Sequence, residues 1–164
     1  MSKSPYLRGV LRAACIVLLA VAGVHGAHMP VERIRQEIGI PRGVACVPNC
    51  GKGDIALDLA RHTEMLILAL DEDESDMAAA REAADTAGLL GRRLYVEKGK
   101  IDALPFADNT INLLVADALG AVASDEVMRV LVPHGVMMVG GERTVKPWPD
   151  DIDTWPQYLN KADN

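Results

Sequence analysis

Residues 65–71 read MLILALD, six apolar side chains in a row from Met65 to Leu70, closed by Asp71. A strand with one wet face alternates apolar and polar residues, and this run does not alternate. It therefore predicts a strand covered on both faces, as strands are in parallel sheets flanked by helices. Asp71 ends the run. The acidic stretch from Asp71 to Asp76 then opens an Ala-rich helix, where negative side chains suit the positive end of the helix dipole. That helix runs to Ala87 and stops at Gly88.

Working outward, the same alternation of apolar strand and amphipathic helix repeats on both sides. Upstream, Pro30 to Ile40 predicts a helix that begins at proline and ends at Gly39 and Pro41. Gly43 to Val47 predicts a strand, and Pro48-Asn49-Cys50-Gly51-Lys52-Gly53 a turn. Asp54 is a candidate cap for a helix over Ile55 to His62. Downstream, Leu94 to Glu97 and Ile111 to Ala116 predict two more strands, joined by a loop from Ile101 to Thr110 that holds Leu104-Pro105-Phe106. Ser124 or Asp125 is placed to cap a helix ending at Leu131, Pro133-His134-Gly135 reads as a turn, and Val136 to Val139 as a fifth strand closed by Gly140 and Gly141. Strand alternating with helix in this way predicts an α/β domain with a parallel sheet.

The 164 residues suit one domain. A hydrophobic fraction of 49% supports an ordinary core, and with only 4% aromatics that core is built of Ala, Val, Leu, Ile and Met. Residues 1–26 hold Lys3, Arg8 and Arg12 and no acid, which leaves 14 basic and 23 acidic residues in the remainder, a net of -9. A duplex binder needs clustered Lys and Arg to displace phosphate counterions. No such stripe is present, and nucleic acid is excluded as an expected partner.

The N-terminal segment 1–26 has the order of a secretory signal: basic residues, the apolar run Ala13 to Val24, then small side chains that allow cleavage before Ala27. The run is short for an ordinary membrane span. Cleaved, it leaves an exported protein; uncleaved, it is a membrane anchor. Cys15 lies ahead of most of the apolar run in no lipoprotein-type context. The expected organisation is a signal or anchor at 1–26, the α/β domain at 27–141, and a tail at 142–164, where polar residues, Pro and Trp take over.

The first strand–turn–helix is where chemistry is expected. Gly51 and Gly53 let a ligand approach backbone without a Cβ in the way, and open α/β sheets bind ligands beyond the carboxyl ends of their strands. Asn49-x-Gly51-x-Gly53 is also compatible with a plain tight turn. Asp71, at the end of the next strand after Gly53, can accept hydrogen bonds from both hydroxyls of a ribose or can cap the helix after it. Cys46 and Cys50 form a C-x3-C pair that either oxidises or stays as buried thiols. His25 and His28 lie beside the signal, while His62 and His134 are isolated, so no metal site is expected. No nucleophile elbow or Ser-His-Asp order is present.

The order of these segments resembles a class I S-adenosylmethionine (SAM) methyltransferase of the small-molecule, type 11-like kind, over about two-thirds of the chain. Ala45 to Gly53 (ACVPNCGKG) resembles the glycine-rich first motif, and Leu68 to Asp71 the acid-terminated second strand. Ala103 to Val115 (ALPFADNTINLLV) resembles the Leu-Pro-Phe loop and fourth strand, and Glu126 to Gly140 (EVMRVLVPHGVMMVG) the helix–turn–strand that follows. The chain departs from the pattern at Val47, where the family has an acid, at Asn49, in place of the first motif glycine, at Lys100, in place of an adenine-reading Asp, and at Ile111-Asn112, in place of Phe-Asp.

The resemblance implies a Rossmann-like fold of five parallel strands in the order 3-2-1-4-5, here without the usual last antiparallel hairpin. It implies SAM as cofactor, held by the backbone of Asn49, Cys50, Gly51 and Gly53, by Asp71 on the ribose, by Ile101 against adenine and by Asp117 near the methionine moiety. It names no catalytic side chain, because alignment of methyl and acceptor carries such reactions. The tail, Lys146 to Asn164, resembles the junction before a quinoprotein-like β-propeller in large exported bacterial proteins, which implies a propeller as partner. Within it Trp148, Trp155 and Tyr158 either dock on the sheet edge left after the fifth strand or ride on a loose linker. Two functions follow: methyl transfer to a small molecule, or an exported interaction module that keeps the fold without the ligand.

Overall fold

The computed structural model describes residues 31–39, 42–99, 102–120 and 122–150. The signal-like segment, Lys100, Ile101, Trp155 and Tyr158 lie outside the described residues. The helices are α1 (Val31–Ile38), α2 (Asp54–His62), α3 (Glu74–Thr86) and α4 (Ser124–Val130). The strands are β1 (Val44–Pro48), β2 (Leu66–Asp71), β3 (Leu94–Lys98), β4 (Ile111–Ala116), β5 (Leu131–Val139) and β6 (Glu142–Val145).

The six strands form one sheet in the order β3-β2-β1-β4-β5-β6, parallel except for the last pair. Val44 to Pro48 lie in register with Leu66 to Leu70, and Ala45 and Cys46 with Leu113 and Leu114. Side chains alternate between two core clusters. Ile67, Ala69, Leu113, Val115, Val136 and Met138 join the buried faces of α1, α2 and α3. Cys46, Leu70, Leu114 and Leu131 join Val127 and Val130 of α4 and Leu104 of the loop before β4. Helices therefore cover both faces, which is why the strand runs read as continuously apolar.

The expectation of no antiparallel strand after the fifth is corrected. Gly140 and Gly141 both have positive φ, +56° and +88°, the geometry of a two-residue hairpin turn that matches strand twist. The turn returns Glu142–Val145 along β5, with Val139 opposite Glu142 and Val136 opposite Val145. This strand has polar, mostly exposed side chains, so no apolar run announces it. The edge expected to stand open after β5 is thus occupied, and the sheet continues beyond Gly141 into what reads as tail. Pairing extends to Lys146, which exchanges two 2.9 Å backbone hydrogen bonds with His134 and Gly135. Trp148 then stacks on the His134 ring, centroids 5.6 Å apart, and stays 42% exposed.

Three local expectations also change. Pro133-His134-Gly135 lies inside β5 rather than in a turn; the β4–β5 register jumps between Ile111–Leu131 and Leu113–Val136, and His134 takes φ +63° in that irregularity. Gly53, not Asp54, is the N-cap of α2, at φ +86° and with no side-chain cap. Ala123 occupies the cap position of α4, and Ser124 and Asp125 fall in its first turn.

Candidate functional site

In a sheet of this order the strand connections diverge between β1 and β4, and the crevice at the carboxyl ends of those strands is the standard ligand position. A cavity of about 210 Å3 lies there, lined by Asn49, Cys50, Gly51, Lys52, Asp54, Ile55 and Asp117. Four residues expected from sequence, Asn49, Cys50, Gly51 and Asp117, thus meet around one space. Sequence alone does not mark Lys52, Asp54 and Ile55 as site residues. Their signal was only that they adjoin the motif turn, where Lys52 is the sole basic residue between Arg42 and Arg61.

The turn is held from behind. Cys50 N donates to Leu70 O at 3.0 Å, and Gly51 N donates to Asp71 Oδ2 at 2.8 Å. The other carboxylate oxygen of Asp71 accepts from Glu72 N at 2.8 Å and Asp73 N at 3.0 Å. Asp71 is 9% exposed. Capping of α3 falls to Asp73, whose carboxylate accepts from Ser75 N and Asp76 N. Asp71 therefore does not cap the helix; it ties the end of β2 to the motif turn. A carboxylate offers about four acceptor positions, so three amides leave room for one more donor.

The two glycines divide the work. A Cβ added at Gly51 meets nothing within 4 Å, so the backbone there lies open. A Cβ added at Gly53 would stand 2.8 Å from Ala80 Cβ. Gly53 is buried and serves close packing of α2 on α3, and it does not line the cavity.

Asn49 replaces the first motif glycine yet adopts φ +51°. Asparagine is the residue that best tolerates this left-handed region after glycine, so the turn keeps its path. Its side chain crosses the crevice: Nδ2 donates to Ala118 O at 3.5 Å and Leu119 O at 3.4 Å, in the loop leaving β4. Asn112, the other departure, acts at the opposite ends of the same strands, where its Oδ1 accepts from Val44 N at 2.9 Å. Val47, in place of an acid, is 1% exposed in the core.

Cys46 and Cys50 are free thiols. Cys46 packs in the core cluster of α4 and Cys50 in that of α1, α2 and α3, which separates them to the two faces of the sheet. Burial pushes the Cys46 thiol up to about 12, with Cys50 adding to the effect. Burial likewise pushes Cys50 up to about 12, reinforced by the negative charge of Asp71. Neither is an activated nucleophile. Among the described residues no group of three or more His, Cys, Asp or Glu is placed to hold a metal ion.

The loop before β4 is fixed by Arg129 of α4. Its guanidinium donates to both carboxylate oxygens of Glu126 at 2.7 Å, to Asp108 Oδ1 at 2.7 Å and to Phe106 O at 2.9 Å. Glu126 Oε1 in turn accepts from Leu104 N at 2.8 Å. The Leu104-Pro105-Phe106 segment is thereby anchored on the β4 side of the sheet.

Residues 49–135, more than half of the chain, match the methyltransferase domain family, and the chain belongs to it. Solved structures share the fold. A protein of Methanococcus maripaludis classed by inference as an S-adenosyl-L-methionine-dependent methyltransferase superposes with TM-score 0.61 at 24% identity, over 66% of this chain and 52% of its own. A SAM-dependent methyltransferase from Aquifex aeolicus gives TM-score 0.57 at 20% identity, over 66% and 61%. Geranyl diphosphate C-methyltransferase from Streptomyces coelicolor, solved with S-adenosyl-L-homocysteine, gives 0.59 at 12% identity, over 66% and 43%. The chain thus spans roughly half the length of these relatives. No curated protein sequence matches it.

Proposed function

We propose that this member of the methyltransferase domain family binds SAM in the crevice between β1 and β4 and presents its methyl group to a small-molecule acceptor. The observation that carries the reading is the open backbone at Gly51, with its N–H fixed by Asp71, at the floor of a cavity in the fold's usual ligand position.

The residues present suit the cofactor in kind. Asp71 retains acceptor capacity for one ribose hydroxyl. Lys52 and Asp117 line the same cavity and match in sign the carboxylate and ammonium of an amino acid. Gly51 allows backbone to approach without steric hindrance. When bound, SAM supplies an electrophilic methyl on a sulfonium. The chain's own part is to orient it and exclude water, a proximity effect that needs no dedicated protein nucleophile. The buried, protonated thiols of Cys46 and Cys50 agree with that division of labour.

Calorimetric titration of SAM and of S-adenosylhomocysteine into protein beginning at Ala27 tests the reading. Saturable binding with one site per chain is the expected result. Absence of heat with either compound at millimolar concentration would overturn it.

A further inference from the structure

We propose that Asn49 is the closing element of this crevice: its side-chain amide ties the β1–α2 turn to the loop leaving β4, and a ligand seats only once that tie is released. The proposal rests on the SAM reading above and concerns how that same site is gated.

The geometry around Asn49 is specific. Its backbone sits in the left-handed region, where glycine would serve equally and would leave the crevice open. The asparagine side chain instead reaches across to Ala118 O and Leu119 O. Facing it is Gly120, at φ +61°, where an added Cβ would lie 2.8 Å from Asn49 Nδ2. The space the amide fills thus exists because residue 120 has no side chain. The cavity beside it, about 210 Å3, is lined by Asn49 on one side and Asp117 on the other.

The tie is also built to open. Its two hydrogen bonds, at 3.4 and 3.5 Å, are long and are made by an exposed side chain. At the other end of the same strands, the Asn112–Val44 bond is shorter, 2.9 Å, and part-buried. One end of the β1–β4 seam is therefore fixed, and the other is held by a contact that water can replace. Release of Asn49 would withdraw the amide from the space it fills beside Gly120, next to the cavity that Asn49 and Asp117 line.

Hydrogen–deuterium exchange and calorimetry on the full chain test this with Asn49→Gly and Asn49→Asp. Glycine suits the left-handed backbone and removes the side chain. Aspartate keeps the size and tolerates the backbone but cannot donate to a carbonyl. Exchange of the Val122 amide, which donates to Leu119 O at 3.1 Å in the tied loop, should quicken several-fold in both variants. With S-adenosylhomocysteine as probe, Asn49→Gly should bind about tenfold more tightly than the parent. Unchanged exchange in both variants overturns the tie. Equal affinity of parent and Asn49→Gly overturns the gating while leaving the SAM reading intact. Binding to neither protein overturns the SAM reading and the gating with it, whatever the exchange shows.

Discussion

The backbone N–H of Gly51 donates to Asp71 Oδ2 at 2.8 Å, so the carboxylate that ends β2 is built into the motif turn before any ligand arrives. Replacing it removes the acceptor for three amides, those of Gly51, Glu72 and Asp73. Asp71→Ala should therefore lose roughly 1–3 kcal/mol of stability, read from urea unfolding, as well as weakening SAM binding about tenfold or more. A variant as stable as the parent would show that the turn holds without Asp71.

Gly53→Ala should be among the more damaging single-methyl changes in the chain. The new Cβ would meet Ala80 Cβ at 2.8 Å while the backbone stays at φ +86°. Overpacking and left-handed strain together predict a loss of roughly 2–4 kcal/mol. Combining it with Ala80→Gly should recover the packing part as a favourable coupling in a double-mutant cycle. Strict additivity of the two changes would contradict the contact.

The Arg129 network makes a pH-dependent contribution of known sign. The Glu126 carboxyl is held below its ordinary range, first by its hydrogen bonds with Arg129. A lowered folded-state value means stability that is present above the unfolded value, about 4.3, and lost as pH falls through the folded one. Arg129→Gln should lower the urea midpoint at pH 7, and the gap should narrow at pH 3. It should not vanish, because the bonds to Phe106 O and Leu104 O do not titrate. A gap that widens in acid would contradict the assignment.

Cys46 and Cys50 should resist alkylation in the native protein at pH 8 and react readily in urea, as read by peptide mass spectrometry. Both thiols stand at about 12 because burial disfavours the thiolate. Such a shift leaves stability intact below about pH 9 and drains it as the pH rises from there, since the unfolded chain releases those protons first. The limiting slope is about 1.4 kcal/mol per thiol per pH unit. Rapid native labelling of Cys50 would mean the turn opens far more often than its hydrogen bonds imply.

Much of the architecture was legible because burial writes itself into composition. Met65 to Leu70 is apolar without a break because both faces of β2 are covered, and nearly the same holds for β4. The strand order follows the family resemblance and is what the structure shows. Glu142–Val145 escaped because an edge strand has little to bury: its pairing is set by the Gly140–Gly141 turn, and Glu142, Arg143 and Thr144 are exposed. Pro133-His134-Gly135 carries the composition of a turn, yet tertiary pairing draws it into β5 as an irregularity. At the site, Asn49 stands where the family motif has its first glycine, and sequence alone shows only that departure. The backbone there kept its left-handed path, and what changed is that a side chain entered the crevice. No sequence pattern reports that, because it depends on Gly120, far along the chain.

The two asparagines that bridge β1 and β4 join positions 68 to 70 apart in the chain. Every other neighbouring pair of strands is connected by a much shorter segment, so β1–β2–β3 and β4–β5–β6 can each assemble over local loops. The boundary between these halves is the longest loop closure in the sheet, and such closures come late and slowly. The crevice lies on that boundary and belongs to neither half alone. A ligand seated there would act as a clasp on folding itself, slowing the parting of the halves, so that occupancy of the crevice and kinetic persistence of the fold rise together.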